Sequence, residues 1–164
     1  MFQRLLAAVC ACALTVALVG CANPENNQDT AQEQTKTVTL YLPDEQGESV
    51  VPTETELTIK ESDEAAALVA ALADNGVFPA EVAVNSLQQQ DGALTLDLNE
   101  AFAQALSSSG STGETMVMAS VVDTFLAYYG AASLVITVDG NTLETGHALY
   151  DEPFTRIFDA APAA

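Results

Sequence analysis

Cys21 closes the run Leu18-Val19-Gly20-Cys21, in which two aliphatic residues and a glycine precede a thiol. Such a thiol can take a diacylglyceryl group as a thioether, and the small residue before it admits a peptidase that cuts on its N-terminal side. Three other groups have residue types suited to chemistry. His147, Asp151 and Ser133 or Ser120 supply the parts of a hydrolase triad. No Gly-x-Ser-x-Gly elbow accompanies them, and acid and base share one turn-rich segment, so a loop histidine is the favoured reading. The oxygen-rich loop Asp44-Glu45-Gln46-Gly47-Glu48 offers ligands for calcium but lacks the alternating aspartates of a calcium loop, which leaves a solvated acidic turn. Asp97 and Asp139 stand at strand ends, where turn and cap duties account for them more simply than paired-carboxylate catalysis. Tyr41, Tyr128, Tyr129 and Tyr150 suit a ligand groove, although core and hairpin packing is the commoner use of such rings.

The segment before Cys21 decides how that thiol is read. Arg4 gives a basic start, and Leu5 to Val19 is apolar apart from Thr15, too short for a good membrane span and right for a signal-peptide core. Together these features make a lipobox, with residues 1–20 as a lipoprotein signal peptide and Cys21 as the lipidation site. Cys10 and Cys12 then leave with the signal, so the mature chain is expected to carry neither free thiol nor disulfide. Two acyl chains hold a protein on a membrane far more firmly than one. Residues 21–35 form a polar linker without an aliphatic side chain larger than alanine, with a span of about 20 Å when coiled and roughly 45 Å when stretched.

The chain has 164 residues with 4 Lys+Arg against 23 Asp+Glu, a formal charge of −19. Loss of Arg4 with the signal makes the exported part still more acidic. Nucleic acid is thereby excluded as a partner, because phosphate backbones are gripped by lysine and arginine. No cofactor or metal is implied by the residues present.

Periodicity gives the elements that must position these groups. Val38, Leu40 and Leu42 alternate with polar residues up to Pro43-Asp44, and Leu57 and Ile59 mark a second strand. Ser62-Asp63-Glu64 opens a helix through Leu72 with a capping hydroxyl, stopped at Asn75-Gly76. Strands around Val82–Leu87 and Leu94–Leu98 are joined through Asp91-Gly92, a hairpin signal. Asn99 caps a short helix broken at Ser107-Ser108-Ser109-Gly110, and Ser111-Thr112-Gly113-Glu114 reads as a capping box for a longer helix over about 114–129. That helix has a wide apolar face including Val117, Val121, Val122 and Phe125, with Ser120 and Asp123 opposite. Gly130 ends it, Leu134–Val138 is a central strand, and Asp139-Gly140-Asn141 turns into a short edge segment. The fold class is α+β: a single domain, with a mixed, mostly antiparallel sheet and two to three helices packed on one face.

Lys36 to Arg156 as a whole resembles the sporulation and spore-germination domain called GerMN, found in germination lipoproteins and many envelope lipoproteins of Gram-positive bacteria. The likeness runs in order through Leu40-Tyr41-Leu42-Pro43-Asp44, Val50-Val51-Pro52 and the alanine-rich helix from Ala65 to Leu72. It continues through Asp91-Gly92 to Leu98 with Phe102, Val121 to Leu126, Leu134 to Gly140, and the tail Gly146-His147 with Glu152-Pro153-Phe154-Thr155-Arg156. A single copy is present where the namesake germination protein has two. The resemblance sets a domain over residues 36–158 and a disordered tail over 159–164. It implies an extracytoplasmic interaction or assembly module without known catalysis, similar to ring-building domains of envelope channels, with envelope proteins as partners. The alternative from a different class is a lipoprotein receptor holding a cation or small solute between sheet and helix.

Overall fold

The computed structural model describes residues 33–60, 62–146 and 148–158. The signal segment, Cys21, most of the linker, His147 and the tail lie outside the described residues. Strands β1 (Glu33–Pro43) and β2 (Val50–Lys60) pair antiparallel along all eleven residues of each, so both run well beyond the alternating cores that mark them in the sequence. Their inward side chains include Val38, Leu40 and Ile59, all buried.

Helix α1 (Glu64–Asp74) follows and ends at Asn75, whose amide side chain donates to the Ala71 carbonyl at 2.8 Å. Its start differs from expectation: the N-cap is Asp63, which makes no side-chain bond to the helix, and Ser62 adopts φ 83°. A residue with that backbone lies outside the helix, so its hydroxyl does not cap it.

Strands β3 (Val84–Gln90) and β4 (Ala93–Leu98) form the hairpin, with Asp91 and Gly92 both at positive φ, as a type I′ turn requires. Helix α2 (Glu100–Tyr129) then crosses back to β5 (Ser133–Val138), which lies parallel to β4. Short antiparallel strands β6 (Asn141–Glu144) and β7 (Leu149–Tyr150) complete a five-stranded sheet ordered β3-β4-β5-β6-β7.

The class is α+β and mostly antiparallel, as the sequence implies, but the strands make two sheets where one was expected. The reason lies at the turn end of β1. Tyr41 pairs with Pro52, and its N–H turns away from β2 to meet Thr124 Oγ1 of α2 at 2.9 Å. A helix thus occupies the edge through which β1 would have joined the other sheet.

Helix α2 is two helices meeting at Gly110, whose φ 69° and ψ 168° are not helical. The break falls where the serine run predicts it, and the chain re-enters a helix at once. Ser108 and Ser109 hydroxyls donate to the Ala105 and Leu106 carbonyls, satisfying groups that the break leaves open. Gly113 is needed for close approach, since a Cβ there would meet Ser109 Cβ at 2.9 Å. The expected caps do other work. Asn99 accepts the Ala83 N–H and donates to the Glu81 carbonyl, tying down the approach to β3. Glu114 is buried and accepts from Thr145 Oγ1 at 2.8 Å and Tyr150 Oη at 2.6 Å.

Every residue from Met116 to Leu126 is buried, including Ser120 and Asp123, which the sequence places on a solvent face. The helix is enclosed because the C-terminal segment passes over that side. Asp123 accepts the Ile157 and Phe158 backbone N–H groups at 2.8 and 3.1 Å. One core gathers Leu40, Ile59, Leu68, Leu96, Phe102, Phe125 and Ile136, and a smaller one joins Tyr41, Val50, Met116 and Ala119 to Ile157 and Phe158. Asp123→Ala orphans two part-buried donors, and the expected loss is about 3 kcal/mol in urea unfolding. A loss under about 1 kcal/mol would show that the C-terminal segment contributes little to the fold.

Candidate functional site

The first turn of α1 stands apart from the near edge of the five-stranded sheet, and a cleft of about 430 Å³ lies between them. One wall is Ser62–Ala66; the other is Val84–Leu87 of β3, and Tyr129 from the end of α2 reaches in. Val84, Leu87, Ala65 and Ala66 give the cleft apolar patches, and Asp63 and Glu64 place carboxylates at one side. Glu64 also lies 3.7 Å from Lys36 Nζ. The position of Tyr129 is fixed by Phe125, with ring centroids 6.0 Å apart, and by Tyr128 at 4.9 Å. Gln89 Nε2 adds a bond to the Tyr129 carbonyl at 3.3 Å, joining β3 to the helix end. Burial, helped by the Glu64 charge and then Tyr128, pushes the Tyr129 phenol up to about 12, so it remains a neutral hydrogen-bond donor at ordinary pH.

The residues with chemical potential in the sequence do not converge on this cleft, apart from Tyr129. Asp44 closes its own loop: one carboxylate oxygen accepts the Glu48 N–H at 3.0 Å and the other the Ser49 hydroxyl at 3.1 Å. Those bonds hold its carboxyl below the usual range and account for the acidic turn. Asp97 Oδ1 accepts from Thr137 Oγ1 at 2.6 Å and the Gly140 N–H at 2.8 Å, so it organises the turn after β5. Asp139 takes a bond from Asn85 Nδ2 at 2.9 Å. Ser120 is wholly buried, Ser133 half-buried and Asp151 exposed, while His147 lies outside the described residues, as does Cys21. Tyr41 is buried beneath Arg156, whose guanidinium sits 4.8 Å from the ring centre and donates to the phenol oxygen at 2.6 Å. No helix among the described residues is long and apolar enough to cross a membrane.

The sequence profile of the Germane family, described as sporulation and spore germination, matches residues 39–144. The chain belongs to the Germane family. The match starts inside β1 and ends with β6, so it takes in α1, α2 and both walls of the cleft. Among solved structures, the first GerMN domain of the sporulation protein GerM from Bacillus subtilis is similar, with TM-score 0.54 and 21% identity over 74% of this chain and 98% of that one. The tandem GerMN domains of the same protein give TM-score 0.53 and 21% identity over 82% of this chain and 48% of that one. This Germane chain therefore spans about half the length of the tandem structure. At such identity the likeness is one of fold. No curated protein sequence matches the chain.

Two pH responses follow from the geometry of this Germane domain. The Thr137 hydroxyl holds the Asp97 carboxyl below 3.8; burial opposes it, and the Gly140 N–H and Asn85 add smaller lowering effects. A lowered folded pKa gives stability that is present above 3.8 and lost as pH falls through the folded value. Asp97→Asn is expected to be less stable at neutral pH and to lose less on further acidification, measured by urea midpoints across the acid range.

Tyr150 responds in the opposite direction. Burial, then the hydrogen bond to Glu114, pushes its phenol from 10.0 up to about 12, so its stabilising effect is whole below 10.0 and disappears as pH rises through about 12. Tyr150→Phe should flatten the alkaline decline of the unfolding midpoint in that window; an unchanged slope would show that the Glu114 bond does not hold the phenol.

Proposed function

We propose that this Germane-family protein is a lipid-anchored, extracytoplasmic interaction or assembly module, acting without catalysis at the cell envelope of a bacterium. The family's link to sporulation and germination supports a place in those processes. The lipobox ending at Cys21, the apolar run before it and the polar linker after it support anchorage at the outer membrane face.

The observation that carries the reading is the free margin of the five-stranded sheet. β3 is its outermost strand, and residues 85, 86 and 88–90 are exposed. A margin of this kind is a ready place for another protein to bind, since its backbone donors and acceptors have no partner strand. The strong negative charge supports a docking role near anionic lipid, because repulsion within about a Debye length, roughly 8 Å, holds the domain off the surface and leaves its sides accessible.

Two measurements test this. Cys21→Ala is expected to lose incorporation of labelled palmitate and to move from the membrane to the soluble fraction; retention of both would remove the anchor from the proposal. Crosslinking in intact cells should join the wild-type chain to other envelope proteins. Recovery of monomer alone, together with tight solute or calcium binding in calorimetry, would favour the receptor reading instead.

A further inference from the structure

We infer that the cleft between β3 and the first turn of α1 is a β-augmentation site for an extended, basic peptide segment of a partner protein. The inference rests on the interaction-module reading above and names the place and the chemistry of the partner.

The hairpin register shows which way the β3 backbone faces. A two-residue type I′ loop makes Gln90 and Ala93 a hydrogen-bonded pair, and such pairs alternate with non-bonded ones along an antiparallel ladder. Gln88 and Ser86 therefore bond inward to β4, while the N–H and C=O groups of Leu87 and Gln89 turn outward. An added strand would meet those groups. Its side chains on the helix side of the sheet would enter the cleft, among Leu87, Val84, Ala65, Ala66 and Tyr129. Peptides that bind by adding a strand gain affinity from the main chain and selectivity from alternate side-chain pockets.

The four strand margins differ in how they are guarded. On β2, Pro52 lacks an N–H at an outward-facing position, and the exposed Glu54 and Glu56 follow it. Proline and charge are standard ways of blocking an edge. On β1 the outward Tyr41 N–H is taken by Thr124, and β7 has only two residues. β3 carries no proline and no charged residue over its seven positions, Val-Asn-Ser-Leu-Gln-Gln-Gln. It is also the margin with a cleft beside it.

Charge selects the occupant. Asp63 and Glu64 lie on the helix wall, Glu64 already 3.7 Å from Lys36 Nζ, and the chain as a whole is strongly anionic. A second copy brought to the same margin would carry the same carboxylates, so self-pairing is opposed at every range. A lysine or arginine on an added strand would instead meet Asp63 and share Glu64 with Lys36, with its stem against the Tyr129 ring.

The test uses the full chain in detergent and three seven-residue peptides, the length of β3. They alternate valine with lysine, serine or glutamate. Hydrogen exchange is expected to slow at Leu87 and Gln89 with the lysine peptide and to stay unchanged on β2. The serine peptide should bind more weakly, and the glutamate peptide should not bind. Neutralising the wall with Asp63→Asn and Glu64→Gln together should weaken the lysine peptide by about tenfold.

Two further variants separate binding from folding. Gln89→Pro removes an outward N–H without breaking the ladder to β4, and Gln89→Leu, which loses only the side-chain bond to the Tyr129 carbonyl, is its control and should still bind. Ala66→Trp fills the cleft from an exposed helix position. Gln89→Pro and Ala66→Trp should both keep the wild-type circular dichroism and lose the peptide. Binding that survives either variant, equal binding of the glutamate peptide, or no protection at Leu87 and Gln89 with any peptide would overturn the assignment. A dimer that forms in the wild type and is lost in Gln89→Pro would give the margin to a second copy and also overturn it. If both variants still crosslink to envelope proteins in cells, the module reading stands while this site fails.

Discussion

The stretch of α2 from Met116 to Leu126 is buried on every side, and the rest of the domain depends on how the polar groups in and beside it are met. A helix of this kind normally presents one apolar stripe to a core and leaves the other face to water. Here both faces are covered, so a polar side chain left without a protein partner is costly, and among the described residues only the Ser120 hydroxyl is left wholly unmet. Thr124 accepts the Tyr41 N–H, Asp123 accepts two N–H groups of the C-terminal segment, and Glu114 accepts from Thr145 and Tyr150. Each bond attaches a different part of the chain to one helix: the first hairpin, the C-terminal segment, and the last strands. A charged acceptor bonded to a buried donor contributes about 1.5–3 kcal/mol, and leaving the donor unmet costs a similar amount. The arrangement therefore selects one packing over others that would bury the same apolar area.

That enclosure also explains why the sheets are separate. The C-terminal segment reaches β5 through Phe154, which exchanges both backbone bonds with Leu134, and then runs to α2 and to Tyr41 through Arg156. The first half of β5, which β6 does not reach, is thereby paired by the C-terminal segment, and β7 ends the sheet with only two residues. The hairpin of β1 and β2 is fastened to α2 near its turn. What remains open is the β3 side, where α1 stands back from the sheet and the cleft lies.

Much of this was legible in the sequence where local rules govern. The alternation of Leu94, Leu96 and Leu98 gives a strand with one buried face, and all three are buried. Asp91-Gly92 gives the hairpin because few residue pairs accept positive φ twice, and Gly130 ends α2 in the left-handed conformation for the same reason. The misread residues share a different cause. Ser120, Asp123 and Glu114 look like a polar face and a cap because their partners lie 31 to 36 residues away or, for Ser120, have no counterpart among the described residues. A periodicity of 3.6 distinguishes polar from apolar positions, but it does not distinguish a side chain facing water from one bonded to a passing backbone. The cleft was hidden for a related reason. Its walls come from residues 62–66, 84–87 and 129; the sequence marks Ser62-Asp63-Glu64 as a helix start and Tyr129 as a groove candidate, but only the fold brings them together.

The acidity of the chain acquires a structural meaning when set beside the open margin. A long, uncharged, proline-free edge strand is ordinarily a route to aggregation, and proteins guard such strands locally. β2 follows that practice with Pro52, Glu54 and Glu56, whereas β3 has no local guard. The guard on β3 is global. With 23 acids against 4 bases in the whole sequence, two copies repel before their margins can align, and Asp63 and Glu64 maintain that repulsion at contact. Local guards would also have excluded a partner strand, because a proline removes donors from any visitor alike. Repulsion by net charge discriminates by sign: it keeps the domain from pairing with itself while leaving the backbone of β3 available to a strand of opposite charge.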